Sequence, residues 1–351
     1  MEKSLTFAVV APASGLLGMM GPSARAAMGF AVEDINRGGG VCGRPLRVRR
    51  VDSGLGIDAV VHGIRGGGGI DAPAAIIGTH PSHLREQLVG RLDGRIPYIY
   101  TPHYEGGERH AGVYAIGETP ERQLQPAIAR LTDRLGLRRW YMIGHDYVWP
   151  RRAALAIVES IRAGGGELVG SHYVSFRRSD FQSDVETIAA SGAEAVVSLL
   201  IGQGAVDFHR DFADAGLSGD IVRFSPDVEE NLLLAIGPSN ARNFYSCSGY
   251  FESLDMPSNR NFLARYRARF GRLAPVQNSY SQSLAEGLWF AKALLEAGGG
   301  DSRRLGRAGE GLAVGGPRGA ARFSERTLHR PTYLAQARET GFAVMETFPT
   351  N

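Results

Sequence analysis

The feature that most narrows the possible folds is an alternation that runs through the chain twice. Short β-branched and aromatic stretches are separated by helix-length amphipathic ones. In the first series, strands are predicted at 5–11, 46–51, 74–77 and 96–100, with helices at 23–37, 57–64 and 82–92. Strand, helix and strand at this spacing give right-handed βαβ units and a parallel sheet. The 23–37 stretch sets Ala24, Ala27, Met28, Ala31 and Ile35 on one face, and Gly38-Gly39-Gly40 stops it. A second series places strands at 140–143, 168–174, 195–200 and 221–225, and helices at 121–135, 151–163, 181–190 and 205–215. Two such series imply two similar lobes, each with its own core, which a chain of 351 residues is long enough to supply. No residue-level repeat joins them, so the similarity is one of architecture.

After Tyr250 the pattern changes. Two helices, 259–270 and 281–297, are followed by short strand-like pieces at 320–323, 333–337 and 342–348. A tail this short forms no third domain and must return to the earlier lobes. Glycine clusters at Gly66 to Gly69, Gly164 to Gly166 and Gly298 to Gly300 follow helices and read as helix ends and turns. None is a phosphate loop, since no Gly-Lys-Ser/Thr follows.

Composition removes several function classes. The formal charge is +3, and no block of five or six like charges occurs, so the concentrated basic stripe of a nucleic-acid binder is missing. No run of eighteen apolar residues is present to span a membrane. Cys42 and Cys247 stand far apart without metal-ligand spacing and read as free structural thiols. The N-terminus enters a strand-like run within four residues, without the apolar segment of a secretory leader. The expectation is a cytoplasmic protein if Met1 is native, and an extracytoplasmic one if a leader has been removed.

In a parallel α/β sheet, ligands bind beyond the carboxyl ends of the strands. The residues there are the site candidates. Gly78-Thr79-His80-Pro81-Ser82-His83 follows the third predicted strand, with Ser82 at a helix N-cap position. Tyr100-Thr101-Pro102-His103-Tyr104-Glu105-Gly106 follows the fourth. In the second series, Gly144-His145-Asp146-Tyr147-Val148-Trp149-Pro150-Arg151 follows the first confident strand. Pro150 suits position N1 of a helix there, which makes Tyr147 and Trp149 loop residues. Flat aromatic walls with a few hydroxyls suit a small, neutral, planar ligand. Ile201-Gly202-Gln203-Gly204 and Ser225-Pro226-Asp227-Val228-Glu229-Glu230 end two further strands, and Asp227 or Glu229 is suited to a ligand's amino or amide N–H groups. The candidate contacts are therefore His80, Ser82, Tyr100, Thr101, Pro102, Tyr147, Trp149, Gln203 and Asp227. No catalytic constellation appears. The Gly-x-Ser-x-Gly elbow, metal-ligand histidine spacing and cofactor loops are all missing, so no enzyme, cofactor or metal is expected.

These loop strings carry a resemblance. Pro102-His103-Tyr104-Glu105-Gly106, with Ile143-Gly144-His145-Asp146-Tyr147-Val148-Trp149-Pro150-Arg151, resembles paired motifs of the amide-sensing regulators of amidase operons and of the urea-binding subunits of ABC importers. Both are branches of the type 1 (Leu/Ile/Val-binding) periplasmic-binding-protein family. The runs from Ala31 to Asn36, Gly39 to Leu46 and Phe251 to Asn259 resemble further segments of it. The resemblance implies two Rossmann-like lobes joined by three crossovers, with a small polar ligand held between them on hinge closure. It puts Ser82, Tyr100, Tyr147 and Pro102 on ligand-contacting loops. His80 and Trp149 stand where relatives carry tyrosine, and His145 where they carry serine.

On this reading 1–116 plus 251–320 form one lobe and 117–250 plus 321–351 the other. The crossings fall near 115–118, 248–251 and 317–324. The function expected is that of a cytoplasmic amide sensor acting on a regulator protein, or of an ABC-importer receptor acting on a permease. The alternatives are an amino-acid receptor of the Leu/Ile/Val type and, in another class, a small-molecule enzyme with a doubly wound fold.

Overall fold

The structure is a computed structural model and describes residues 4–66, 72–92, 94–299, 305 and 309–350. Along the chain come β1 (Leu5–Ala11), α1 (Gly21–Arg37), β2 (Leu46–Asp52), α2 (Ile57–Arg65), β3 (Ala75–Gly78), α3 (Ser82–Val89), β4 (Tyr98–Tyr100) and β5 (Val113–Ala115). There follow α4 (Pro120–Leu135), β6 (Arg139–His145), α5 (Val148–Ala163), β7 (Glu167–Val174), α6 (Gln182–Ala190), β8 (Ala195–Leu199), α7 (Gly202–Asp214), β9 (Val222–Phe224), α8 (Glu230–Ile236) and β10 (Phe244–Ser248). The rest comprises α9 (Pro257–Phe270), α10 (Ser279–Ala297), β11 (Ala313–Gly316), β12 (Gly319–Ser324), β13 (Thr327–His329), β14 (Thr332–Ala337) and β15 (Phe342–Phe348).

Two compact units result. Unit 1 is Met1–Gly117 with Asp255–Arg330, and unit 2 is Glu118–Leu254 with Pro331–Asn351. The third passage of the chain thus falls at Arg330, later than the expected 317–324. The cause is local pairing: β12 pairs antiparallel with both β11 and β13, and this small sheet keeps its strands in unit 1.

Unit 1 is a parallel sheet of order β2-β1-β3-β4-β5. Strands β1, β3 and β4 are buried on both faces and read as continuous apolar runs, whereas the edge strand β2 exposes Arg47 and Arg50. Ala27 and Ala31 of α1, with Leu288 and Ala291 of α10, cover Phe7, Val9, Ile77 and Ile99. On the opposite face Val60 and Ile64 of α2 and Leu84 and Leu88 of α3 cover Ala8, Val10 and Ile76. Gly66 closes α2 in the left-handed region at φ 76°, where a glycine carries no Cβ penalty. Gly67 to Gly69 and Gly300 lie outside the described residues.

Unit 2 has the order β15-β14-β10-β9-β8-β6-β7, in which β6 to β10 run parallel and β14 and β15 add an antiparallel edge. Leu124 and Leu131 of α4 and Ala153 and Ile157 of α5 pack on Trp140, Met142 and Val197. Buried Phe181, Phe208 and Phe212 pack ring against ring in a separate group. In both units the first strand lies between the second and the third. This is the doubly wound order, whose switch point falls beside the first and third strands. In unit 1 it lies at β1 and β3, and in unit 2 at β6 and β8. Among the described residues, no helix is long and apolar enough to cross a membrane.

Candidate functional site

In unit 1 the loop after β3 is built on a close approach. A Cβ on Gly78 would sit 2.7 Å from His80 Nε2 and 2.8 Å from the Tyr98 ring, so only glycine lets the His80 side chain turn inward there. Its Nε2 then lies 2.8 Å from Tyr98 Oη. His80 is therefore a core residue beneath α3, and not part of the loop's outer face. Burial drops its pKa to about 3, so the ring stays neutral. Tyr100 Oη donates to the His80 carbonyl at 2.7 Å and lies 3.4 Å from Ser82 Oγ. Ser82 is the first helical residue and not the cap. Pro81 holds the cap position with extended backbone, and no side chain caps α3.

Two strand ends meet at a buried hydroxyl pair. Thr79 Oγ1 and Thr101 Oγ1 lie 2.6 Å apart, and Ser283 Oγ of α10 donates to Thr101 Oγ1 at 3.4 Å. Thr101 also donates to the Gly78 carbonyl at 3.3 Å. The structure thus gathers His80, Ser82, Tyr100 and Thr101 and adds Thr79 and Ser283, which the sequence reading missed. Thr79 lay within a string it quoted, whereas Ser283 sits on a helix recognised only by its apolar face. Pro102 is buried against the end of unit 1. A Cβ on Gly117 would fall 1.9 Å from its carbonyl oxygen, so glycine is required there.

The Tyr104-Glu105 string has a scaffold role. Arg85 of α3 is buried and pairs with both Glu105 and Glu108, the latter at 3.0 Å, while its guanidinium lies 5.2 Å from the Tyr100 ring and 5.7 Å from that of Tyr104. Asp146 and Arg151 form a corresponding pair in unit 2 at 2.9 Å, with Arg151 lying 3.8 Å over the Tyr173 ring.

In unit 2, α5 begins earlier than expected, at Val148, so Tyr147 takes the cap position and Pro150 lies inside the first turn. That turn carries Trp149 inward. It is 1% exposed, in the core with Leu124, Ala153 and Leu199 rather than on a loop. Tyr147 stays half-buried, with its ring 5.2 Å from Phe176, which also packs 5.1 Å from His145. His145 joins the two strands of the switch point. Its Nδ1 accepts the Ile201 N–H at 3.1 Å, and burial lowers its pKa to about 4. Gln203 is exposed on the first turn of α7, where it donates to Asp207 at 2.7 Å. Beyond β9, Asp227 is 1% exposed and its N–H donates to Ser225 Oγ at 3.3 Å. Glu229 caps α8 by accepting from the Asn231 and Leu232 N–H groups, so its carboxylate is committed to the backbone. Glu230, equally buried, is pushed well above the usual carboxylate range by burial and by Glu229.

The loops after the strands therefore carry hydroxyls in unit 1, and an aromatic residue and a buried carboxylate in unit 2. Among the described residues, no group of three or more His, Cys, Asp or Glu side chains is placed to hold a metal ion.

Comparison with known proteins agrees with this architecture. A family model described as periplasmic binding protein matches residues 4–342. An ABC-transporter solute-binding protein from R. palustris, solved with 4-hydroxybenzoate, is 20% identical, with a TM-score of 0.88 over 99% of this chain and 98% of that one. A second R. palustris solute-binding protein, solved with benzoate, is 19% identical, with a TM-score of 0.83 over 99% and 98%. An amino-acid ABC transporter substrate-binding protein from Pseudomonas fluorescens is 17% identical, with a TM-score of 0.85 over 100% and 97%.

Proposed function

The chain belongs to the periplasmic-binding-protein family, and on that premise we propose that it is the solute-binding component of an ABC importer. Its ligand is a small carboxylate of the amino-acid kind, which it binds and releases unchanged. In unit 1 the Ser82 hydroxyl, beside the Thr79 and Thr101 pair, is suited to a carboxylate. In unit 2, taken by itself, Asp227 is suited to an ammonium group and Tyr147 to an aromatic contact. The observation that carries the amino-acid reading is Asp227, a carboxylate 1% exposed just past the end of β9, where parallel sheets take their ligands. The ligands in the similar structures, 4-hydroxybenzoate and benzoate, share the carboxylate and lack the ammonium. This reading goes with the extracytoplasmic setting and an ABC permease as partner, not with a cytoplasmic sensor.

An amide or urea ligand loses its support at the motifs that suggested it. Glu105 and Asp146 are engaged by Arg85 and Arg151, so a scaffold role accounts for both strings. A thermal-shift screen of amino acids, aromatic carboxylates, amides and ureas separates the readings, because a ligand at a hundredfold excess over Kd stabilises by about 2.7 kcal/mol. Amino acids are expected to raise the melting temperature. Asp227→Asn should then weaken them at least about tenfold, and Ser82→Ala about five- to a hundredfold, as loss of a desolvated hydrogen bond costs roughly 1–3 kcal/mol. Stabilisation by amides or ureas alone would overturn the reading, and mass spectrometry of the incubated ligand would expose any turnover.

A further inference from the structure

Unit 1 holds a cavity of about 280 Å³ on its α1 face, beside β1 and β2. That is near the roughly 300 Å³ at which small-molecule pockets begin, and at about 30 Å³ per water molecule it has room for roughly nine heavy atoms. Its floor is apolar and buried, made by Val9, Ala24, Met28 and Leu284. Its rim carries two exposed guanidinium groups, Arg25 of α1 and Arg50 of the edge strand β2. Neither has an ion-pair partner among the described residues.

The one carboxylate in the wall, Asp52, is already satisfied. Its Oδ1 accepts the N–H groups of Ala13, Ser14 and Gly54 at 2.9, 3.2 and 2.9 Å, and its Oδ2 accepts the Ser14 hydroxyl at 2.6 Å. The wall it staples is tightly built: a Cβ on Gly54 would fall 2.4 Å from the Ser14 carbonyl oxygen, and one on Gly21 would fall 3.1 Å from that of Pro12. Two guanidinium groups thus stand at the rim of an apolar floor, and Asp52, the one carboxylate among the lining residues, is held by three backbone N–H groups and the Ser14 hydroxyl.

We propose that this cavity is a second ligand site, for an organic monocarboxylate with a compact apolar body. The apolar body rests on Ala24, Met28 and Leu284, and the carboxylate is held by Arg25 and Arg50. Guanidinium groups match a carboxylate in shape as well as charge, so such hydrogen bonds are stronger than neutral ones. The cavity uses none of Thr79, Ser82, Thr101 or Asp227, so it stands independently of the importer reading.

Cyclohexanecarboxylate is a suitable probe, and its neutral carboxamide is the control. With methyl-13C methionine, the Met28 signal, assigned through Met28→Leu, should shift saturably with the carboxylate in the native protein and equally in Ser82→Ala. Replacing both Arg25→Gln and Arg50→Gln should weaken that response at least about tenfold, since a hydrogen bond to a charged group is lost at each. Both side chains are exposed, so the melting temperature should stay at the native value and report that the fold is intact. A silent Met28 signal, an undiminished response in the double variant, or equal binding of the carboxamide would each overturn the proposal.

Discussion

Removing the Glu286 charge is the sharpest test of how unit 1 is held together. Glu286 on α10 lies between Arg318 and Arg330, and all three side chains are only 1–4% exposed. Arg318 Nε donates to Glu286 Oε2 at 2.9 Å, and both guanidinium groups pair with the same oxygen. Burial opposes ionisation of Glu286, but the two arginines outweigh it and hold the carboxyl below its usual range. Glu286→Gln keeps the shape and removes the anion that two buried cations share, and breaking a buried pair from one side costs about 3–5 kcal/mol. For a unit of this size each kcal/mol is about 2–4 °C, so calorimetry should show unit 1 melting roughly 6–20 °C lower. The sign with pH follows from the depressed carboxyl. Its stabilisation is present above the ordinary carboxylate pKa of about 4.3 and is lost as pH falls through the lower folded value. The gap between native and variant should therefore close in acid. Replacing all three side chains with apolar ones of similar volume should recover much of the loss. A variant melting within about 2 °C of native at pH 7 would refute the reasoning, because the two arginines would then need no anion.

Burial keeps His80 and His145 neutral down to about pH 3 and about pH 4, and lowers His209 well below its usual value. The unfolded chain takes up protons near pH 6.5 that the native one refuses, so urea-derived stability should fall as pH drops from 7 to 5, by up to about 4 kcal/mol per unit. A flat profile would mean that the imidazoles are not buried neutral. Trp149→Ala should lower stability by about 3–5 kcal/mol through the cavity it leaves in the unit 2 core, a loss measurable by denaturant titration without any ligand. Burial raises the Cys247 thiol, so a thiol reagent should label exposed Cys42 at once and Cys247 only on unfolding.

How far the sequence could be read depended on whether each element's neighbours were themselves local. The inner parallel strands β1, β3, β4, β6 and β8 were legible because burial on both faces leaves apolar runs, whereas the equally buried β10 was passed over; β1 and β15 fall where the pattern placed them. The pattern passed over β5 and α8. The first is three residues long, and the second is a seven-residue helix set by the Glu229 cap. The third passage between units was misplaced because the pairing of β12 with β13 is fixed by tertiary context. At the candidate site the reading went to the strand ends, but side-chain direction was not legible there. His80 and Trp149 turn inward, one because Gly78 makes room and the other because α5 starts two residues before Pro150. The acidic members of the loop strings, Glu105 and Asp146, meet arginines that only the fold identifies.

Unit 1 is assembled from two separate stretches, and this sets an order on synthesis. When Ile99 leaves the ribosome, α10, which covers it, has not yet been made. Leu288 follows after roughly 10–40 s at 5–20 residues per second. Throughout that interval Phe7, Val9 and Ile77 have only one helical partner, α1, on that face. The five parallel strands of unit 2 and the α4 and α5 helices that cover them are complete by Ser248, and only the antiparallel edge awaits the C-terminus. The second unit is therefore able to close its core first, and the nascent first unit is the part of the chain that a holding chaperone would have to shield.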